Sequence, residues 1–253
     1  MPVVVVTGAS QGIGRAVAEA YAEAPEASGE MRLALLARNA DNLEATAEAC
    51  RTRGATAEPF VCDVTDAAQV ERACGEVLKR LGPPDVLVNN AGAFVPGAFL
   101  ETTPEAFRAQ VEVNLTSAFL VTRAFLPAML ARGDGATDAP EASGGAPPHT
   151  GDVVFMASVA SVRGYPGGAA YGAAKHGLLG LARTLREETK SRGLRVIAVL
   201  PGATLTPSWD GVDVPPDRLM PPEAIAQAVV AATALPPSAV VEEILIRPQL
   251  GDL

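Results

Sequence analysis

A chain of 253 residues that is 48% hydrophobic but only 4% aromatic must build its core from Ala, Val and Leu, which suits helices packed closely on a parallel sheet. A formal charge of −9 speaks against binding along nucleic acid or an anionic membrane, so any anionic ligand has to be held by local basic residues and helix N-termini. Three cysteines, Cys50, Cys62 and Cys74, without Cys-x-x-Cys spacing, give no reason to expect a disulfide framework or a metal site. With no basic leader and no apolar run of membrane-spanning length read in the sequence, a soluble, cytoplasmic protein is expected.

Residues 3–6 are four valines, too short for a helix and apolar at every position, as in a strand buried on both faces. They run into Thr7-Gly8-Ala9-Ser10-Gln11-Gly12-Ile13-Gly14 and a helical stretch over 15–24. A strand, a glycine-rich turn and a helix make an opening for a pyrophosphate: glycine lets the ligand approach the backbone, and the helix N-terminus presents free N–H groups. Gly8, Ser10, Gln11, Gly12, Ile13 and Gly14 are therefore candidate cofactor contacts. A second strand over 31–37 ends in Arg38-Asn39. At that place an acid suits the ribose 2′-hydroxyl of NAD, whereas an arginine suits the 2′-phosphate of NADP. No acid occurs before Asp41, so NADP(H) is favoured.

A helix over 41–53, with Asp41 near its start and Gly54 at its end, leads to a third strand over 56–62. In Asp63-Val64-Thr65-Asp66, Asp63 either accepts from an adenine amino group or makes a turn, and Asp66 caps a helix running to Leu81. A fourth strand over 86–88 precedes Asn89-Asn90-Ala91-Gly92, small and amide residues that allow a close cofactor. Thr103-Pro104-Glu105 starts a helix that continues over 106–132 and contains Asn114. Asparagine is disfavoured inside a helix, so Asn114 is either paired to backbone or functional. Residues 133–150, rich in Gly, Pro and Ser without apolar period, read as a flexible surface insertion.

A strand over 153–156, a helix over 169–191 and a strand over 196–200 follow. Then come Pro201-Gly202-Ala203-Thr204-Leu205-Thr206 and a loop to Met220 holding the sole tryptophan, Trp209. Pro221-Pro222-Glu223 starts a short helix, and 240–246 form a seventh strand. Strand and helix alternate with no linker, which predicts an α/β fold over 1–253: one domain with a doubly wound parallel sheet of seven strands, flanked by helices on both faces.

The chemistry concentrates between Ser158 and Lys175. Tyr171 and Lys175 are four apart and share a helix face. A lysine ammonium there would favour the phenolate and draw the tyrosine pKa down from about 10, giving a usable proton donor. Ser158 follows a strand and can converge on the same carbonyl-sized volume.

Thr7-Gly8-x3-Gly12-x-Gly14, Asp63, Asn89-Asn90-Ala91-Gly92, Asn114, Ser158, Tyr171-x3-Lys175 and Pro201-Gly202, in this order, resemble the classical short-chain dehydrogenase/reductases over essentially the whole chain. The resemblance implies that Tyr171 gives a proton to a substrate carbonyl as hydride arrives from the nicotinamide. Ser158 would polarise that carbonyl, Lys175 would bind the nicotinamide ribose, and Asn114 would hold a water in the proton relay. It places the cofactor also against Val64, Asn90, Ala91, Gly92, Pro201, Gly202 and Thr204, with Thr206 at the carboxamide. Gln11 departs from NADP-preferring members, which often have Arg or Lys there; that leaves Arg38, with Ser10 and Asn39, to hold the 2′-phosphate. The long connection after residue 24, the segment from Pro201 to Trp209 and the C-terminal Val241-Glu242-Glu243-Ile244 stretch are similar to the bacterial sepiapterin reductases, which reduce side-chain ketones of a pterin. Trp209, with Ser158 and Tyr171, would then meet the substrate.

Two other readings stand beside this one. The same chemistry on another small-molecule carbonyl, such as a 3-oxoacyl thioester or a keto acid, would need for a carrier protein a basic docking patch; Arg123, Arg132, Arg183 and Arg186 are the candidates. A non-catalytic dinucleotide-binding regulator has no need of Asn114, Ser158, Tyr171 and Lys175 together. The family resemblance also implies a homodimer or homotetramer joined through the helices after Thr103 and Gly168.

Overall fold

The computed structural model describes residues 1–24, 31–134 and 147–251. Seven parallel strands form one sheet in the order β3-β2-β1-β4-β5-β6-β7. They are β1 (Val3–Thr7), β2 (Arg32–Ala37), β3 (Thr56–Val61), β4 (Val86–Asn89), β5 (Gly151–Met156), β6 (Leu194–Pro201) and β7 (Glu243–Ile246). Among the described residues the α-helices are α1 (Gly12–Glu23), α2 (Ala40–Thr52), α3 (Ala67–Arg80), α4 (Pro104–Val111), α5 (Ser117–Asp134), α6 (Ala169–Thr189) and α7 (Pro222–Thr233).

Alternation along the strands divides the core in two. In β1, Val3 and Val5 face a layer that includes Phe125, Met129 and Leu178. Val4 and Val6 face the opposite layer, with Val17, Leu43 and Ile225. Helices α1, α2 and α7 therefore cover one face, and α3, α5 and α6 the other, so the middles of the central strands are apolar on both faces and polar residues fall near their ends. The chain leaves β1 for β2 on one side and later returns to pair β4 on the other. That reversal opens a crevice at the carboxyl ends of β1 and β4, where ligands of such sheets bind.

The far, amino ends of β5 and β6 carry a buried ion pair. Asp152 and Arg195 are register partners, and Arg195 donates to both carboxylate oxygens at 2.6 and 2.7 Å. Its remaining N–H groups bond the carbonyls of Thr233, Leu235 and Ala239, which ties the α7–β7 connection to the sheet.

Several boundaries differ from the sequence expectation. Helix α1 starts at Gly12, so Gly12, Ile13 and Gly14 form its first turn. Helix α2 is capped by Asn39, whose side chain accepts from Asn42 N at 2.9 Å; Asp41 sits in the first turn instead. The run over 106–132 is not one regular helix, because a wider π turn over Glu112–Thr116 separates α4 from α5. The last strand is shorter than 240–246: Val240 and Val241 pack partly buried on the core, and pairing begins where Ala198 N donates to Glu242 O. Of the predicted insertion over 133–150, Gly133 and Asp134 still belong to α5, and 135–146 lie outside the described residues. Its last residue is anchored: Thr150 is buried and bonds Gly193 O and Arg192 O.

One apolar run of membrane-spanning length does exist, contrary to the reading of none. Pro104–Asp134 passes by length and composition, yet its α5 part packs on β4 and β5 and buries Phe125 and Met129 in the core.

Candidate active site

A cleft of about 970 Å³ lies over the carboxyl ends of the central strands. The turn after β1 forms its floor. Gly8 has φ +65°, and a Cβ on it would stand 2.9 Å from Ala91 Cα. Gly14 does not line the cleft; it lies beneath the turn, where a Cβ would come within 2.3 Å of Gly8 O. Thr7 joins this turn to the end of β4: its hydroxyl accepts from the N–H groups of Asn90 and Ala91 at 2.9 and 3.0 Å. Asn90 completes the link through Nδ2, which donates to Thr7 O and Gly8 O. Asn89 points the other way and donates to Thr122 Oγ1 on α5 at 2.9 Å. The amides thus tie neighbouring elements, as their residue types suggested.

The remaining predicted cofactor residues line the same cleft: Ser10, Gln11, Gly12 and Ile13 on the turn, Arg38 and Asn39 after β2, Asp63 and Val64 after β3, and Pro201, Gly202, Thr204 and Thr206 at and after the end of β6. Asp63 makes the turn that was one of its two readings: its Oδ1 accepts from Thr65 N and Oγ1 at 3.0 and 2.7 Å. These bonds, with Arg38 nearby, hold its carboxyl below the usual aspartate range. Its Oδ2 lies 3.9 Å from Arg38 Nη1, so an acid does approach Arg38, from the next strand. The arginine side chain is still 75% exposed at the cleft edge. A glycine floor, a helix N-terminus and an exposed guanidinium at the end of β2 fit a dinucleotide carrying a 2′-phosphate.

Ser158, Tyr171 and Lys175 converge in the other half of the cleft. Ser158 follows β5 and caps a short turn over Val159–Ser161, where its hydroxyl accepts from Ala160 N at 3.1 Å. The same hydroxyl lies close enough to Tyr171 to favour its phenolate. Lys175 is buried, and its Nζ donates to Met156 O at 2.7 Å, with the Tyr171 ring centroid 5.6 Å away. Desolvation pushes Lys175 down from 10.5 to about 7. Burial also pushes the Tyr171 phenol up, opposed by the Ser158 hydroxyl. In the ligand-free site burial therefore outweighs the lowering expected from the lysine. Both groups are held towards their neutral forms by loss of water, an effect that spacing in a sequence does not carry.

Asn114 sits in the π turn with its side chain paired to backbone, the first of its two readings. Its Nδ2 donates to Gln110 O and Ala93 O, and its Oδ1 accepts from Ala93 N. The side chain braces the π turn against the segment after Gly92, and Asn114 also lines the cleft.

Trp209 closes a short turn over Pro207–Trp209 at the cleft mouth. Phe94, Pro96, Arg163, Tyr165 and Asp210 also line the cleft and were not singled out from sequence. The available signals were position alone: Phe94 lies two residues beyond Gly92, Tyr165 between Ser158 and Tyr171, and Asp210 beside Trp209.

Comparison with known proteins gives the same picture. The profile of the family described as short chain dehydrogenase matches residues 2–214. A sepiapterin reductase of Chlorobaculum tepidum is 35% identical over 254 residues, covering 99% of this chain and 98% of that protein. An alcohol dehydrogenase from the archaeon Thermococcus sibiricus, solved with 5-hydroxy-NADP, superposes with a TM-score of 0.84 at 32% identity, covering 98% of this chain and 97% of the other. A single-substitution variant of the actinorhodin polyketide ketoreductase, solved with NADPH, gives 0.83 at 30% identity, covering 100% of this chain and 98% of the other.

Proposed function

The chain belongs to the short-chain dehydrogenase family of oxidoreductases, and on that premise we propose that it is an NADP(H)-dependent carbonyl reductase whose substrate is the side-chain ketone of a pterin. The carrying observation is the meeting of Ser158, Tyr171 and Lys175 at one end of a cleft whose other end is the glycine-rich turn and Arg38. NADPH, when bound, supplies a hydride for the carbonyl carbon. Gly8, Gly12 and the N-terminus of α1 would hold its pyrophosphate, and Arg38 its 2′-phosphate.

Each protein group then has a definite task. Tyr171, kept protonated by burial, donates its hydrogen to the carbonyl oxygen as negative charge develops there. Ser158, on the same cleft lining as Tyr171, offers a second hydroxyl to the same oxygen. Lys175 regains its charge most readily when hydroxyl or phosphate oxygens replace lost water, and its ammonium then eases departure of the tyrosine proton.

The pterin reading rests on the mouth of the cleft. Trp209 offers a face on which a flat bicycle stacks, a contact of ~1–3 kcal/mol by analogy with bases. Asp210 beside it also lines the cleft and would offer a carboxylate to a ring amino group. A carrier-bound 3-oxoacyl substrate, suggested by the ketoreductase relative, is less well served. Arg132, Arg183 and Arg186 are engaged by Asp85, Glu243 and Glu242 of this chain, which leaves little of the basic patch. Purified protein oxidising NADPH with sepiapterin, an acetoacetyl thioester and a simple diketone decides between them by kcat/KM. Sepiapterin turned over no faster than the diketone removes the pterin reading.

A further inference from the structure

One wall of the cleft has no part in the chemistry above. The ring of Phe94 meets Tyr171 edge-to-face, with centroids 5.1 Å apart and planes at 64°. Phe94 also meets Tyr165, at 6.1 Å and 63°. The two loops that carry these rings are joined: Gly97 N donates to Gly167 O at 3.0 Å, and Gly97 bridges Gly168. Tyr165 lies directly on Gly168, the N-cap of α6, where a Cβ would come within 2.6 Å of the ring. The start of the helix that carries Tyr171 is thus closed onto Tyr165 and, through it, onto Phe94.

We infer that Phe94 is a positioning residue for Tyr171: backed by Tyr165, it fixes the plane of the phenol and keeps water from it. This rests on the reading of Tyr171 as proton donor. A tyrosine ring swings about two side-chain torsions, and a proton donor must stay within hydrogen-bond reach of its acceptor. The Ser158 hydroxyl acts on the phenol end of Tyr171, and the Phe94 ring meets its ring edge-to-face, so two separated groups bear on one orientation. Among the described residues, the titratable groups beside the phenol are Lys175 on its own helix and Tyr165 before that helix, while Arg38, Asp63, Arg163 and Asp210 line the cleft more widely. Phe94 adds no charge to this set, so it acts on the phenol by excluding water, in line with burial as the main cause that raises Tyr171.

The test compares Phe94→Ala and Phe94→Leu with the parent protein. NADPH affinity is measured by fluorescence titration and kcat is followed against pH. The Tyr171 phenolate is followed by ultraviolet absorbance, as the difference from the same protein carrying Tyr171→Phe. NADPH affinity should stay within about twofold while kcat falls about tenfold or more in Phe94→Ala and less in Phe94→Leu. The Tyr171 titration, and with it the alkaline limb of kcat, should move to lower pH as water reaches the phenolate. An unmoved titration, or kcat and NADPH affinity lost in equal measure, overturns the inference. Phe94→Leu carries the test if Phe94→Ala does not fold. If none of the carbonyls tried is reduced, the reductase reading fails, and the absorbance titration still decides the role of Phe94.

Discussion

Replacing Lys175 by methionine should make the ligand-free protein more stable, and by an amount that depends on pH. The lysine amine is buried with Met156 O as its hydrogen-bond acceptor, at 2.7 Å, and desolvation brings it from 10.5 to about 7. Between those two values the unfolded chain binds a proton that the folded protein does not. Stability contributed by this residue therefore rises with pH across the window, by up to about 1.4 kcal/mol per pH step. Below about pH 7 the folded protein bears the full cost, on the order of a few kcal/mol; above the unfolded value both states are neutral and the cost is gone. Methionine fills similar space without a charge and leaves Met156 O short of a donor, which offsets part of the gain. Urea titrations of the parent and Lys175→Met at a series of pH values should show the variant ahead near pH 6, with the gap closing as pH rises. Two parallel stability curves would refute the reasoning, because a lysine that stays charged in the fold contributes no such slope.

Tyr171→Phe should keep NADPH affinity within about twofold and lower kcat by at least ~10²-fold, measured by NADPH oxidation. Arg38→Asp should lower kcat/KM for NADPH by about 10- to 100-fold and spare NADH, since a guanidinium–phosphate contact is replaced by repulsion; an unchanged cofactor ratio assigns the phosphate to another group. Arg195→Leu leaves the buried Asp152 carboxylate with His149 Nε2, 2.9 Å away, as its remaining side-chain partner among the described residues, and should cost about 3–5 kcal/mol in urea unfolding while NADPH affinity is retained. A loss below about 1 kcal/mol would mean that water or another donor takes over Asp152.

The sequence made the sheet legible because buried parallel strands are apolar through their middles: the valines of β1 and the runs at β2 and β5 read directly. The glycines after β1 and the Tyr171–Lys175 spacing were equally plain, since both depend on local geometry. What escaped depends on contacts distant in the chain. Asn114 carries one pattern whether or not it pairs with backbone, and its bonds to Ala93 and Gln110 appear only once the segments meet. Arg38 was read as having no acid nearby because its neighbour Asp63 belongs to the end of the following strand. The lysine's influence on Tyr171 was inferred from charge, while burial, invisible in spacing, decides the direction for both groups. Val240 and Val241 have strand character yet only pack, because register with β6 starts after them.

The segment that bears Trp209 and Asp210 leaves β6 and closes on itself just before α7. Leu205 N donates to Met220 O, and Met220 N to Ala203 O, and the Met220 side chain is buried in the core, so both ends of the loop are pinned. The groups that handle the proton lie on other elements. The stretch is therefore an exchangeable cassette. Grafting the corresponding loop of another reductase between Thr206 and Met220, which leaves Thr204 and Thr206 in place beside the cofactor cleft, should change which ketone is accepted, and evolution has the same freedom to move this scaffold between substrates.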